Sequence, residues 1–178
     1  MADYVLQDYL RVGLDLVFVG FNPSLKSAEI GHYYAGRGNQ FWPFLYEAGL
    51  TDRLLEPRED ATILDYNIGL TDIVKGRATR GIGDLTDGDY VSGFELLREK
   101  MQRYRPAVIC FNGKSGYAKV MGGKRDYGLQ DELLEGAKLF LAPSTSDALP
   151  MPRVEKLRYY RALKSFVDVC VQPVKERR

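Results

Sequence analysis

One histidine and two cysteines in the whole chain set the first limits. A single imidazole cannot build a histidine-rich metal centre. Cys110 sits inside an apolar run and Cys170 near the end, with neither the close spacing of a metal site nor the number a disulfide framework needs. No metal site is expected. No apolar run approaches the roughly 20 residues of a membrane-spanning helix, and the opening MADYVLQDYL carries acidic residues without a signal-peptide pattern. The expectation is a cytoplasmic protein with no membrane partner. Strong charge of either sign is also missing, the formal net charge being +1. That excludes recognition of a partner by bulk charge alone, yet the distribution is uneven. From Arg153 to Arg178, eight basic residues (Arg153, Lys156, Arg158, Arg161, Lys164, Lys175, Arg177, Arg178) face three acidic ones, Glu155, Asp168 and Glu176. A local basic face, or simply a solvated helix surface, follows from such a cluster. A glycine-rich phosphate-binding fingerprint is absent, which disfavours a nucleoside-triphosphate enzyme.

What is present fits one globular domain over 1–178, since 45% hydrophobic and 28% charged residues suffice for a sizeable core. Short apolar runs at Asp15–Gly20, Asn67–Val74, Ala107–Phe111 and Lys138–Ala142 read as strands. Helical spacing appears at 4–10, 39–48, 91–104 and 153–170, and Asn112-Gly-Lys-Ser-Gly opens another helix. Residues 75–89 hold four glycines and few apolar side chains, the composition of a long surface loop. This alternation predicts a three-layer α/β/α sandwich with a central, mainly parallel sheet of four to five strands. Ligands of such sheets gather beyond the carboxyl ends of the strands. Four loops should therefore converge on one cleft, bringing Asn22 and Tyr34, Thr71 and Asp72, Asn112 and Lys114, and Ser144, Thr145 and Ser146.

The densest of these loops runs from Gly20 to Trp42 and reads GFNPSLKSAEIGHYYAGRGNQFW. Joining a strand to a helix does not require so many amide, hydroxyl, imidazole, phenol and guanidinium groups, so the stretch reads as a pocket floor. Asn22 can orient a water by donating and accepting hydrogen bonds, but an amide cannot take its proton near neutral pH. Its simpler role would be a turn-forming side chain before Pro23.

GFNPS, GHYYAGRGNQFW, GLTDIV, FNGK and PSTS occur in that order, and together they resemble the mismatch-specific uracil/thymine DNA glycosylase family within the uracil-DNA glycosylase superfamily. The similarity runs from about residue 14 to residue 166. It implies hydrolysis of the bond between a pyrimidine base and its deoxyribose, starting base excision repair, with no cofactor. The implied partner is double-stranded DNA carrying a mismatched or damaged pyrimidine, such as uracil opposite guanine, engaged by a monomer. Flipping the nucleotide out costs on the order of a few kcal/mol and least at mismatches, which gives the family's preference a physical source.

Residue by residue, the resemblance assigns Asn22 to the attacking water and Tyr34 to the aromatic platform under the flipped base; a core tyrosine is the other possibility. Ser27 matches a small side chain beside the base edge, and Asn39 an amide of the same region that would serve equally as a helix cap. Phe21 departs from the aliphatic residue usual before the asparagine and should crowd or rigidify the base pocket. His32 and Tyr33 lie where some relatives approach the base; His32 reads as a hydrogen-bonded loop residue. Asp72 departs most, because the best-known relatives carry Lys or Asn there. A carboxylate on the cleft side would assist Asn22 as a general base or stabilise positive charge on the sugar, the alternative being a turn cap. The Pro143–Pro152 segment matches the family's insertion loop, with Ala148 and Leu149 at its tip; Leu149 is the wedge candidate and Ala148 is too small to fill much space. Lys114, Ser144 and Arg153 are candidates for phosphate contacts. The competing reading is a non-catalytic α/β module that binds damaged DNA or nucleotides. An esterase using Ser24 or Ser144 is disfavoured, since neither sits in a nucleophile elbow.

Overall fold

A computed structural model describes residues 4–172. Met1–Asp3 lie outside the described residues, as do Lys175, Glu176, Arg177 and Arg178, the far end of the basic cluster. Four strands run parallel: β1 (Leu16–Gly20), β2 (Ile68–Asp72), β3 (Val108–Asn112) and β5 (Ala137–Ala142). A fifth, β4 (Gly128–Leu134), pairs antiparallel with β5, and the spatial order is β2-β1-β3-β5-β4. β1, β2 and β3 are buried at every position, as the strands of a sheet covered on both faces must be.

Side chains alternate across the strands and so divide the interior into two cores. Leu16, Phe18, Val108 and Cys110 face helices α2 (Phe41–Glu47) and α5 (Arg153–Val171), which contribute Phe41, Phe44, Leu157, Tyr160 and Leu163. Val17, Val19, Ile109 and Phe111 face α3 (Asp87–Tyr104) and α4 (Lys114–Met121), through Tyr90, Leu97, Met101 and Tyr117. The remaining helix, α1 (Leu25–Ile30), lies within the Gly20–Trp42 loop; Ser24 caps it and Gly31 ends it in the left-handed region. The sandwich expected from the sequence is thus present with five strands. Among the described residues no helix is long and apolar enough to cross a membrane.

Three local expectations need correction. Residues 4–10 form an extended strap, not a helix. Tyr9 exchanges two backbone hydrogen bonds of 3.0 Å with Leu70 on the free edge of β2. Gly69 allows this approach, since a side chain there would meet the Tyr9 carbonyl. The 75–89 segment is less of a surface loop than its glycines suggest. Lys75 and Thr79 are buried, and α3 begins at Asp87, ahead of the expected residue 91. A reciprocal cap explains that start: the Asp89 N–H donates to Thr86 Oγ1 at 3.2 Å while the Thr86 N–H donates to the Asp89 carboxylate at 2.7 Å. Finally, β4 had no counterpart among the four sequence-read strands. It pairs through a two-residue turn, Glu135-Gly136, in which both residues have positive φ, a geometry that suits a tight hairpin.

Candidate active site

At the carboxyl ends of the parallel strands the loops enclose a cavity of about 620 Å³. Phe21, Asn22, Ser27, Tyr33, Tyr34, Asn39, Asp72, Lys114, Ser144, Ala148 and Leu149 border it, as do Asn112, Thr145 and Ser146. Thr71, also expected in the cleft, is buried behind it with its hydroxyl donating to Asp8 Oδ1 at 2.6 Å, and His32 and Arg153 lie outside the lining as well. Arg153 is engaged elsewhere. Its guanidinium forms a bidentate pair with Glu47, donates to Gln40 Oε1 at 2.8 Å and lies over the Phe44 ring. A cation matched in this way has little to offer a phosphate, and the structure gives Arg153 the work of joining α5 to α2.

The strand register explains how the floor is made. Gly20 is paired with Asp72 across β1 and β2. A side chain on Gly20 would collide with the Asp72 carboxyl and crowd the Tyr34 hydroxyl, so the glycine leaves room for both. Asp72 is buried, and its Oδ2 has no hydrogen-bond partner. Burial pushes its carboxyl up to about 6, against the lowering pull of Lys75, whose Nζ lies 4.0 Å from Oδ2. The carboxyl thus sits at the base of the cavity with its proton affinity raised by burial and partly offset by Lys75.

Asn22 is anchored through one end of its amide. Its Nδ2 donates to Thr79 Oγ1 at 2.8 Å and to the carbonyls of Arg77 and Pro23, both at 3.1 Å. Among the described residues no donor reaches Oδ1, and Asn22 borders the cavity. The 75–86 segment therefore orients the key amide, a role that glycine-rich composition did not disclose. A backbone bond from Thr79 N–H to the Pro23 carbonyl at 3.2 Å ties the two loops together.

Tyr34 holds φ at 53° and stacks on Phe41, with ring centroids 3.7 Å apart and planes 18° from parallel. One ring face is consequently covered by Phe41, and the residue borders the cavity. Its hydroxyl is buried without a partner, and burial followed by the Asp72 charge drives that phenol well above its ordinary range. Tyr33 is more a pin than a pocket wall. Its hydroxyl accepts from Lys75 Nζ at 2.6 Å, its N–H donates to Asp60 at 3.0 Å, and its carbonyl accepts from the Trp42 indole at 3.1 Å. His32 shares that carboxylate, its Nδ1 standing 3.1 Å from Asp60 Oδ1.

Ser27 is buried and accepts from the Ala35 N–H at 3.2 Å and from Ser24 Oγ at 3.1 Å, which leaves its own O–H to donate. Asn39, one residue before the N-cap Gln40, takes the Phe41 N–H on its Oδ1 at 3.0 Å, so it serves the start of the aromatic helix while bordering the cavity. Phe21 does not protrude. Its ring fills a notch that Gly113 and Gly116 leave at the start of α4, where any added side chain would strike it. Beside it, at the end of β3, Asn112 and Thr145 exchange two hydrogen bonds of 3.2 Å, and the Gln40 N–H donates to the Thr145 carbonyl at 3.0 Å. Lys156, also unforeseen, is buried and donates to the Ser146 carbonyl at 2.8 Å. These bonds fix the root of the Pro143–Pro152 loop and leave Asp147 and Ala148 exposed at its tip. On the rim, Lys114 lies over the Tyr127 ring and Ser144 accepts from the Ser146 N–H at 3.2 Å, while exposed Arg80 adds a cation the sequence reading passed over. Among the described residues no cluster of His, Cys, Asp and Glu is arranged to hold a metal ion.

With this geometry in view, comparison with known proteins supplies the class. A family model described as the uracil DNA glycosylase superfamily matches residues 7–171, nearly the full length. At the general level, this defines a hydrolase of the DNA N-glycosylase class, with DNA as its partner. The chain belongs to the uracil DNA glycosylase superfamily. It is also similar in fold to a solution NMR structure from Methanosarcina acetivorans, provisionally described as a uracil DNA glycosylase. The two share 20% identity over 92% of this chain and 96% of that one, with a TM-score of 0.57.

Proposed function

We propose that the protein is a monofunctional, mismatch-directed glycosylase that everts uracil from double-stranded DNA, above all opposite guanine, and releases it by hydrolysis. The observation that carries this reading is the locked amide of Asn22, held by Thr79 and the Arg77 carbonyl beside a cavity floored by Tyr34 and Asp72. The everted base lies on the open face of Tyr34, a stacking contact worth roughly 1–3 kcal/mol per base. Asn39 Nδ2 and the Ser27 hydroxyl are the donors within the same cavity for the carbonyls of a pyrimidine. Asn22 Oδ1 accepts from one water and aims it at the sugar carbon. As the bond from that carbon to the base nitrogen breaks, its electron pair leaves with the base and the sugar becomes cationic. Asp72 stabilises that charge, and when the water oxygen bonds to the sugar carbon the released proton passes to the carboxylate, assistance typically worth about 10²–10⁴-fold.

Outside the cavity, Lys114 and Arg80 take phosphates, Ser144 adds a hydroxyl contact, and Leu149 enters the stack at the place vacated by the base. The test is a single-turnover excision panel with uracil opposite guanine, thymine opposite guanine, uracil opposite adenine, and uracil in a single strand. Release of free uracil, fastest opposite guanine and leaving an alkali-labile abasic site, is the expected result. Equal rates in all uracil contexts would refute mismatch direction, and tight binding without base release would refute catalysis.

A further inference from the structure

Behind the cavity wall lies a group of charges that the reaction as described does not use. Lys75, two per cent exposed at its side chain, places Nζ 2.9 Å from Asp8 Oδ1 and 2.6 Å from the Tyr33 hydroxyl, and 4.0 Å from Asp72 Oδ2. Asp8 in turn takes Lys100 Nζ at 2.6 Å and the Thr71 hydroxyl at 2.6 Å. Three separate elements supply these groups: the N-terminal strap brings Asp8, the segment after β2 brings Lys75, and α3 brings Lys100. The ring of Tyr4 covers both ammonium groups. So many charges are costly to desolvate, and a purely structural need would be met as well by apolar side chains. Of the group's charged members, Asp72 borders the cavity, as does the Tyr33 that holds Lys75.

We propose that Lys75, clamped by Asp8 and Tyr33, is a positioning residue that keeps the Asp72 carboxylate ionised for base release. The proposal rests on the reading of Asp72 as the carboxylate that assists hydrolysis. The groups facing Asp72 are Lys75 on its own connection, Asp8 on the strap, Lys100 on α3, and the phenols of Tyr33 and Tyr34 from the first loop. Lys75 and Lys100 favour its ionised form, whereas burial and Asp8 oppose it. This arrangement makes an unusual demand. Removing Lys75 and removing Asp8 should push Asp72 in opposite directions.

The experiment follows single-turnover uracil release from a duplex with uracil opposite guanine between pH 5 and 9, for the parent, Lys75→Met, Lys75→Arg, Asp8→Asn and Asp72→Asn. The Asp72 carboxyl is titrated in parallel by carbon NMR, and melting curves verify folding. The acid limb of the parent rate should move to higher pH by about one unit in Lys75→Met, with full rate regained in alkali. Lys75→Arg should restore the parent limb, and Asp8→Asn should move it to lower pH. An equal fall at every pH, or limbs that move together in both variants, overturns the proposal as a mere packing effect. Should Lys75→Met fail to fold, the downward shift in Asp8→Asn decides alone, and its absence overturns the proposal. The two levels of failure are separable. A pH profile identical in the parent and Asp72→Asn refutes the catalytic reading of Asp72, whereas an NMR midpoint indifferent to Lys75 refutes the inference itself.

Discussion

The floor of the cavity and its rim hold their charges in different ways. Lys75, behind the floor, is two per cent exposed at its side chain and bonded to Asp8 and Tyr33. Lys114 on the rim has a side chain 40% exposed and, among the described residues, only a distant carboxylate, Asp126 at 3.9 Å, with the Tyr127 ring beneath it. Buried charges are fixed in place and interact strongly, whereas exposed ones are screened by salt and free to reorganise. In the reaction proposed above, bond breaking falls to the floor and engagement of the DNA backbone to the rim, and the contrast in charge burial suits that division. It also explains why the floor recruits so much of the chain: the strap, β2 and α3 are all needed to bury and balance one carboxylate.

The largest effect on folding that would sharpen this division concerns Asp72 and pH. Burial pushes its carboxyl up to about 6 in the folded protein, against an ordinary value near 4 in an unfolded chain. Because the fold raises the value, the stability this group contributes is complete below about pH 4 and is lost as pH rises through about 6. Asp72→Asn avoids that loss, so it should be more stable than the parent by on the order of 1–3 kcal/mol at pH 8, with the gap closing by pH 4. Urea titrations at the two pH values measure it. A variant less stable than the parent at pH 8 would mean that attraction to Lys75 outweighs the cost of burial.

A somewhat smaller loss tests the seat of the base pocket. Gly116→Ala places a methyl against the Phe21 ring and should destabilise the fold by about 1–2 kcal/mol, the usual scale of overpacking. The displaced ring has the cavity on its open side, so uracil release should fall as well; unchanged stability would show that Phe21 is free to move. The smallest effect belongs to the rim. Lys114→Ala should leave the rate of the bound complex unaltered but lower the slope of log affinity against log salt by about 1, one phosphate contact. A fall in the bound-state rate with an unchanged slope would reverse the assignments of floor and rim.

The same contrast marks what the sequence could and could not disclose. The Gly20–Trp42 loop is local, so Asn22, Ser27, Tyr34 and Asn39 could be assigned to one pocket from their density and from the order of the motifs. The strands were legible because burial on both faces leaves uninterrupted apolar runs. Asp8, Lys75 and Thr79 were not legible, because each acts through partners far away in sequence: Asp8 on Lys75 and Lys100, Thr79 on Asn22. A charged residue looks like surface until its counter-ion is known. β4 escaped for a related reason, since an edge strand with Asp131 and Glu132 in its middle lacks the apolar run of its neighbours. Its Glu135-Gly136 turn was the available signal. Arg153 looked free only because Glu47 is remote in sequence.

The most direct test of the whole account is Asn22→Ala, followed by single-turnover release of uracil from a duplex carrying uracil opposite guanine, with binding measured on the same substrate. If Asn22 holds the attacking water, release should slow by about 10²-fold or more while affinity for the duplex stays within a few fold. Release at the parent rate would contradict it.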